Sequence, residues 1–194
     1  MSQITKRALE TSLKNLLLQK PLNKITISDI ANDCGINRMT FYYHFKDIYD
    51  LIEWICNEET TRAINGNKTY ETWQQGFLQT FQMVLENKPF ISNVYHSISK
   101  EKIEDYFYAI TFDLLIGVVE EKAVGMSVTE SDKKFIAKFY NFAFVGLLLD
   151  WIKTDMREDP QLIINQVSTL IHGDVSRALN RYQYNRSNQM TQTD

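Results

Sequence analysis

The ten residues from Asn37 to Lys46, Asn-Arg-Met-Thr-Phe-Tyr-Tyr-His-Phe-Lys, crowd planar, aromatic and cationic groups into one short stretch. Read as a helix, the stretch turns Phe41 and Phe45 inward, four residues apart, and leaves Arg38, Met39, Tyr42 and Tyr43 for other surfaces. Arg38 carries the planar fork that fits guanine O6 and N7. Asn37, Met39 and Tyr42 lie close enough at the same helical end to touch base edges or thymine methyls. Thr40, Tyr43, His44 and Lys46 suit phosphate contacts, as do Thr26 and Ser28 at the start of an earlier helix, with that helix's N-terminal amides assisting. Such contacts position a duplex and do not specify its sequence. A helix that merely packs gives no reason for Tyr42, Tyr43, His44 and Lys46 to share one turn and a half, although Tyr43 or His44 could also pack on the preceding helix.

These side chains need a scaffold, and the preceding residues supply one. Thr26 and Asp29 have the spacing of a capping box, which satisfies orphan N–H groups at a helix start. Ile27, Ile30 and Ala31 then form an apolar face. Gly35 follows one turn after Ala31, where the chain must leave the helix with a positive φ that costs glycine little. Asn37 caps the next helix. The pattern is a helix-turn-helix, whose second helix lies in a major groove; in a dimer the half-sites fall about 34–36 Å or a multiple apart.

The ordered series Asp-Ile-Ala, Gly-Ile, Thr-Phe-Tyr-Tyr-His-Phe-Lys-Asp and Leu, ending at Leu51, resembles the DNA-binding signature of TetR-type transcriptional regulators. That resemblance implies an all-α fold, a near-palindromic double-stranded operator, a homodimer paired through its last two long helices, and a repressor released by a small-molecule effector. Ile48 departs from the pattern. Many members carry Lys there, and an isoleucine cannot make the phosphate contact a lysine makes. The motif also resembles TetR-like activators of dihydroxyacetone kinase operons, in which the signal is another protein, so control by a protein partner stays open beside control by a small ligand. The stretch from Phe139 to Pro160 resembles regulators from Gram-positive bacteria.

Charge supports a nucleic-acid partner only when divided along the chain. The whole carries −3, yet residues 1–50 hold seven Lys/Arg against five Asp/Glu, and the remainder is acidic. The positive excess lies with the motif, the sign that phosphate attraction requires. Cys34 and Cys56 are neither a CxxC pair nor near a histidine cluster, so no disulfide framework, metal or cofactor is expected, and a reducing cytoplasm fits. The N-terminus does not read as a signal peptide, and the longest apolar run, Phe142 to Leu149, is too short to span a bilayer. An enzyme is not expected: there is no phosphate-binding glycine loop or nucleophile motif, no standout carboxylate pair, and His96 and His172 are isolated.

The rest reads as helix with little interruption, giving an all-α chain of about nine helices. Leu9, Leu13, Leu16 and Leu17 form an amphipathic stripe ending near Pro21, and Ile48, Leu51, Ile52 and Ile55 begin a helix that leads out of the motif. Turn-forming residues Asn65 to Lys68 precede a larger helical unit. The expected division is a DNA-binding domain at 1–47, a regulatory and dimerisation domain at 48–182, and a polar, disordered tail at 183–194. Thr129 with Asp132 caps a long helix reaching about Met156, and Asp159 with Pro160 opens a last helix carrying Ile163, Val167, Leu170, Ile171 and Ala178. Phe142 to Leu149 is apolar all round, so one side must meet its own domain and the other a second subunit or further core.

Following the resemblance, the larger domain would hold a small apolar effector. Its walls would come from Trp73, Phe77, Phe81, Tyr95, Tyr106, Phe107, Phe139 and Phe142, with Tyr108 beside them. The same aromatics at helical spacing also suit an ordinary core.

Overall fold

The computed structural model describes residues 2–64, 69 and 71–190. Among them are ten α-helices, one short 3-10 turn and no strand. The helices are α1 (Ser2–Leu17), α2 (Ile27–Asp33), α3 (Arg38–His44), α4 (Ile48–Ile64), α5 (Trp73–Glu86), α6 (Lys88–Ser97), α7 (Lys100–Lys122), α8 (Glu130–Lys153), α9 (Pro160–Ile171) and α10 (Asp174–Met190). The expected turn at Asn65 to Lys68 lies outside the described residues.

Two compact units emerge, and their borders differ from the expected cut after residue 47. One joins Met1–Arg62 to Met83–Ile103; the other joins Ala63–Gln82 to Glu104–Asp194. In the first, Leu9, Leu13, Ile30, Phe41, Leu51 and Ile55 are fully buried, so α1 to α4 share one core. Helix α6 belongs to this unit as well. The Asn93 side-chain amide donates to the Leu17 carbonyl at the end of α1 (3.2 Å) and to the Pro89 carbonyl (3.0 Å), while Lys14 sits 5.9 Å from the centre of the Phe90 ring. The first satisfies one of the carbonyls that a helix end leaves open.

Between α1 and α4 runs a charged clamp. Glu10 takes Arg7 (2.8 Å) and Lys14 (2.9 Å); Arg7 also meets Glu58, and Lys14 meets Glu59 at 2.7 Å. Burial pushes the Glu10 carboxyl up, but the bonds from Arg7 and Lys14 outweigh it and hold the group below its ordinary range. A buried carboxylate without those cations would be costly.

In the second unit, Phe77 stacks on Phe144 (3.8 Å between centroids) and Trp73 meets both rings edge-on, at 6.0 and 5.9 Å. Phe81 packs on Trp151 at 4.9 Å. Between α7 and α8 the buried Asn141 donates to the Tyr108 carbonyl (2.8 Å) and its side-chain oxygen accepts from the Thr111 hydroxyl, so this polar pair is satisfied inside the core. The capping box at Thr129 and Asp132 forms as expected.

Two expectations change here. The last helix is two helices, because the chain breaks at Gly173 with φ +76°, a left-handed conformation that glycine adopts without a Cβ clash. The tail expected to be disordered from residue 183 is helical through Met190; residues 191–194 lie outside the described residues. The apolar run judged too short for a bilayer sits in the 24-residue α8, which is long and apolar enough by composition to cross one. Half of its most apolar window is buried inside the fold.

Candidate nucleic-acid interface

The motif forms from its own local chemistry. At the start of α2 the Thr26 hydroxyl accepts from the Asp29 N–H (3.2 Å), and the Thr26 N–H and hydroxyl both donate to the Asp29 carboxylate (2.8 and 2.9 Å). Lys20 reaches the same carboxylate at 2.9 Å. Gly35 takes φ +65°, and the Ile36 N–H returns to the Ala31 carbonyl (2.9 Å), closing α2. Asn37 then caps α3 by accepting from the Met39 N–H at 2.9 Å. Ser12 donates to the Ile30 carbonyl (3.3 Å) and the Cys34 thiol to the Ala8 carbonyl (3.4 Å), tying α2 to α1.

Two consequences bear on the expected contacts. The Thr26 hydroxyl proton and N–H are already spent on Asp29, so neither is free to donate to a phosphate. The Asn37 side-chain oxygen is likewise taken by the cap, which leaves its NH2 group for a base edge. Ser28 and Thr40 are half-buried at the edges of the surface.

Behind α3, Phe41 and Phe45 are buried and Phe45 packs on Trp54 at 5.7 Å. Lys6 of α1 covers both of those rings at 5.3 Å, and Arg7 covers Trp54 at 5.0 Å. In front, Met39 is 71% exposed and Tyr43 83% exposed, with Arg38, Tyr42 and Lys46 exposed beside them. Arg38 lies along the helix with its guanidinium 3.5 Å from the Tyr42 hydroxyl, and His44 sits edge-on to Tyr43 at 5.0 Å. Among the described residues Arg7, Lys14 and Lys20 are engaged by carboxylates, whereas Arg38 and Lys46 on the motif form no ion pair. The charges left outside those pairs include Arg38 on α3 and Lys46 at its C-terminal edge, with the exposed Lys24 elsewhere in the unit. Such an arrangement can enter a groove, read base edges and grip the backbone.

Known proteins match both halves of the chain. The family model described as "Bacterial regulatory proteins, tetR family" matches residues 12–55, and one described as "Transcriptional regulator C-terminal region" matches residues 71–173. The chain belongs to the TetR family. It is a DNA-binding transcriptional regulator, of a family whose members are not enzymes. Among curated relatives, the dhaKLM operon transcriptional activator DhaS of Lactococcus lactis is 28% identical over 147 residues, covering 74% of this chain and 76% of that protein. YerO of Bacillus subtilis, an uncharacterised HTH-type regulator, is 23% identical over 203 residues, 93% of this chain and 68% of that one. Among solved structures, the dihydroxyacetone kinase operon activator DhaS has a TM-score of 0.70 at 21% identity, covering 93% of this chain and 98% of that one. NalD, the secondary repressor of an efflux pump in Pseudomonas aeruginosa, has 0.61 at 16%, covering 92% and 98%. These structural likenesses concern the fold.

In this TetR-family chain the aromatics expected to wall one pocket fall into several separate ring contacts. Trp73 and Phe77 share the cluster with Phe144, Phe81 joins Trp151, and Tyr106 touches Phe107. Tyr95 lies in the unit that contains the motif, paired with His96. Phe139 and Phe142 are 64% and 61% exposed on α8; Phe139 lines an open groove with Tyr140, Arg177 and Tyr182, and Phe142 meets Tyr108 at 5.3 Å. Periodicity could not separate Phe142 from Phe144, because every residue between 142 and 149 is apolar or glycine.

Acid titration tests the α2 cap. Lys20, then the Thr26 N–H and hydroxyl, hold the Asp29 carboxyl down to about 2. The folded value lies below the ordinary one of 3.8, so the ionised group stabilises the fold above that pH and the stabilisation fades as pH falls toward 2. Asp29→Asn is expected to flatten the part of the acid-unfolding curve in that window, measured by circular dichroism. An unchanged curve would remove Asp29 from the account.

Proposed function

We propose that this regulator is a cytoplasmic, homodimeric repressor that binds a near-palindromic operator and is released by a small-molecule effector in its larger domain. One observation carries the reading: α3 buries Phe41 and Phe45 and turns Arg38, Met39, Tyr42 and Tyr43 outward. Arg38, with Met39, Tyr42 and the Asn37 amide, reads bases; Lys46, Tyr43, His44, Thr40 and Ser28 face the backbone. The dimer uses the outer face of α8 and α9, where Phe142, Leu147, Leu162 and Leu170 are exposed beside Gly146. An effector acts by binding the DNA-competent and incompetent arrangements unequally.

Operators selected from random duplexes test this reading. Arg38→Ala is expected to cost about 1–3 kcal/mol and relax preference at one base pair, whereas Lys46→Ala should weaken all sequences alike and reduce the salt slope by about one unit. Titrations on selected and random duplexes at several salt concentrations separate the two. Equal losses on both duplexes for Arg38→Ala would remove it as a base reader. A second reading has its own support: the relative at 28% identity is named an activator. In that case the wild type raises transcription from a promoter bearing the selected operator, and control passes to a protein partner.

A further inference from the structure

The second compact unit contains a cavity of about 190 Å³ where the first turn of α5 meets α7, α8 and the break between α9 and α10. Its apolar wall is Trp73, Leu115, Val118, Ile171 and Val175. Trp73 is held from behind by the stacked Phe77 and Phe144 pair, so the wall is rigid before anything binds. The polar lining is Glu71, Gln74, Tyr140, Ser168 and His172, with Glu71 and His172 exposed at the open side. Gln74 donates to the Ser168 hydroxyl at 2.8 Å and so joins α5 to α9 across the mouth, leaving its carbonyl oxygen as an acceptor.

Size and charge together narrow what fits. A dry cavity of about 150 Å³ takes one benzene ring, so this one takes a single ring with a short substituent. Its lining holds one carboxylate and neither Lys nor Arg, which disfavours an anion. Tyr140 offers a hydroxyl that burial keeps in its neutral form, able both to donate and to accept. Among the residues expected from the sequence to form a pocket, Trp73 alone lines this cavity.

We propose that this cavity is the effector site, and that it takes a neutral or cationic single-ring molecule whose hydroxyl or amino group meets Tyr140 and the Gln74 carbonyl. The proposal rests on the reading of the protein as an effector-controlled regulator. Because the cavity touches both sides of the Gly173 break and the start of α5, a ligand there ties together helices that the Gln74–Ser168 bond links across the mouth.

Calorimetry on the full chain without DNA tests the site, using benzyl alcohol, benzylamine and benzoate. The alcohol and the amine are expected to bind saturably, one per chain, and benzoate not to bind. Tyr140→Phe should weaken both by about tenfold through one lost hydrogen bond. Val175→Phe, which fills the cavity, should abolish binding without lowering the melting temperature. If Val175→Phe fails to fold, Tyr140→Phe decides alone. Absence of saturable binding, benzoate binding as tightly as the alcohol, or wild-type affinity in Tyr140→Phe overturns the assignment. A parallel titration of the selected operator is expected to show weaker binding with the alcohol or amine present; binding of the ligand with no change at the operator overturns the effector role. Should the ligand-free protein select no operator at all, the DNA reading fails instead, and the calorimetry still judges the cavity.

Discussion

Phe142→Glu is expected to leave a folded monomer whose operator affinity has fallen roughly 100- to 10,000-fold, the usual gain from engaging two half-sites at once. The residue is 61% exposed within its own chain, and Phe139 and Leu147 are exposed near it on α8, with Leu162 and Leu170 exposed on α9. Isolated exposed apolar residues need no explanation, but several recurring on α8 and α9 support the proposed interaction surface. At a two-fold interface the substitution acts twice, placing two carboxylates in an apolar contact with no cation supplied. The fold of the single chain should hardly notice, since the buried face of α8 is carried by Phe144, Val145, Leu148 and Trp151. Sedimentation at micromolar concentration and thermal unfolding form the decisive pair. A variant that remains dimeric, or wild-type protein that sediments as a monomer, would remove this face from the dimer.

Phe41→Ala should have the larger effect on folding. Phe41 is fully buried and its ring packs against Tyr42 and Phe45, at 5.9 and 6.0 Å between centroids. Truncating a buried phenylalanine costs about 3–5 kcal/mol, a large share of the 5–15 kcal/mol typical of a whole domain. The reading helix would then lose the wall that holds it, and operator binding should disappear together with the lowest-melting transition. Arg38→Ala supplies the contrast: it removes an exposed side chain, so affinity falls while melting stays put. If Phe41→Ala kept both its melting temperature and its operator affinity, the assignment of α3 as a helix clamped through Phe41 would be wrong.

What the amino-acid order determined by itself is local. The boxes at Thr26 and Asp29 and at Thr129 and Asp132, the Asn37 cap, the left-handed Gly35 and the inward pair Phe41 and Phe45 all form as the spacing predicts. In each case the partners lie within a few residues, so a short window contains the whole interaction. The resemblance to TetR-type regulators was legible for the same reason, because its signature is one contiguous motif.

Tertiary structure decided whatever depends on residues far apart in the chain. Asn93 reaches Leu17 across 76 positions and draws α6 into the unit that holds the motif. Glu58 and Glu59 complete the clamp on Arg7 and Lys14 from another helix, so those two cations are engaged while Arg38 and Lys46 stay exposed on the motif. In the all-apolar run of α8 no polar residue marks the solvent side, so only packing could assign Phe144 to the core and Phe142 to the surface. The cavity beside Trp73 is built from five helices and the residues flanking them, and its chemistry comes from Tyr140, Gln74 and His172, which no spacing in the sequence connects. Backbone hydrogen bonds and caps act over one helical turn, whereas a binding surface is a property of the packed arrangement.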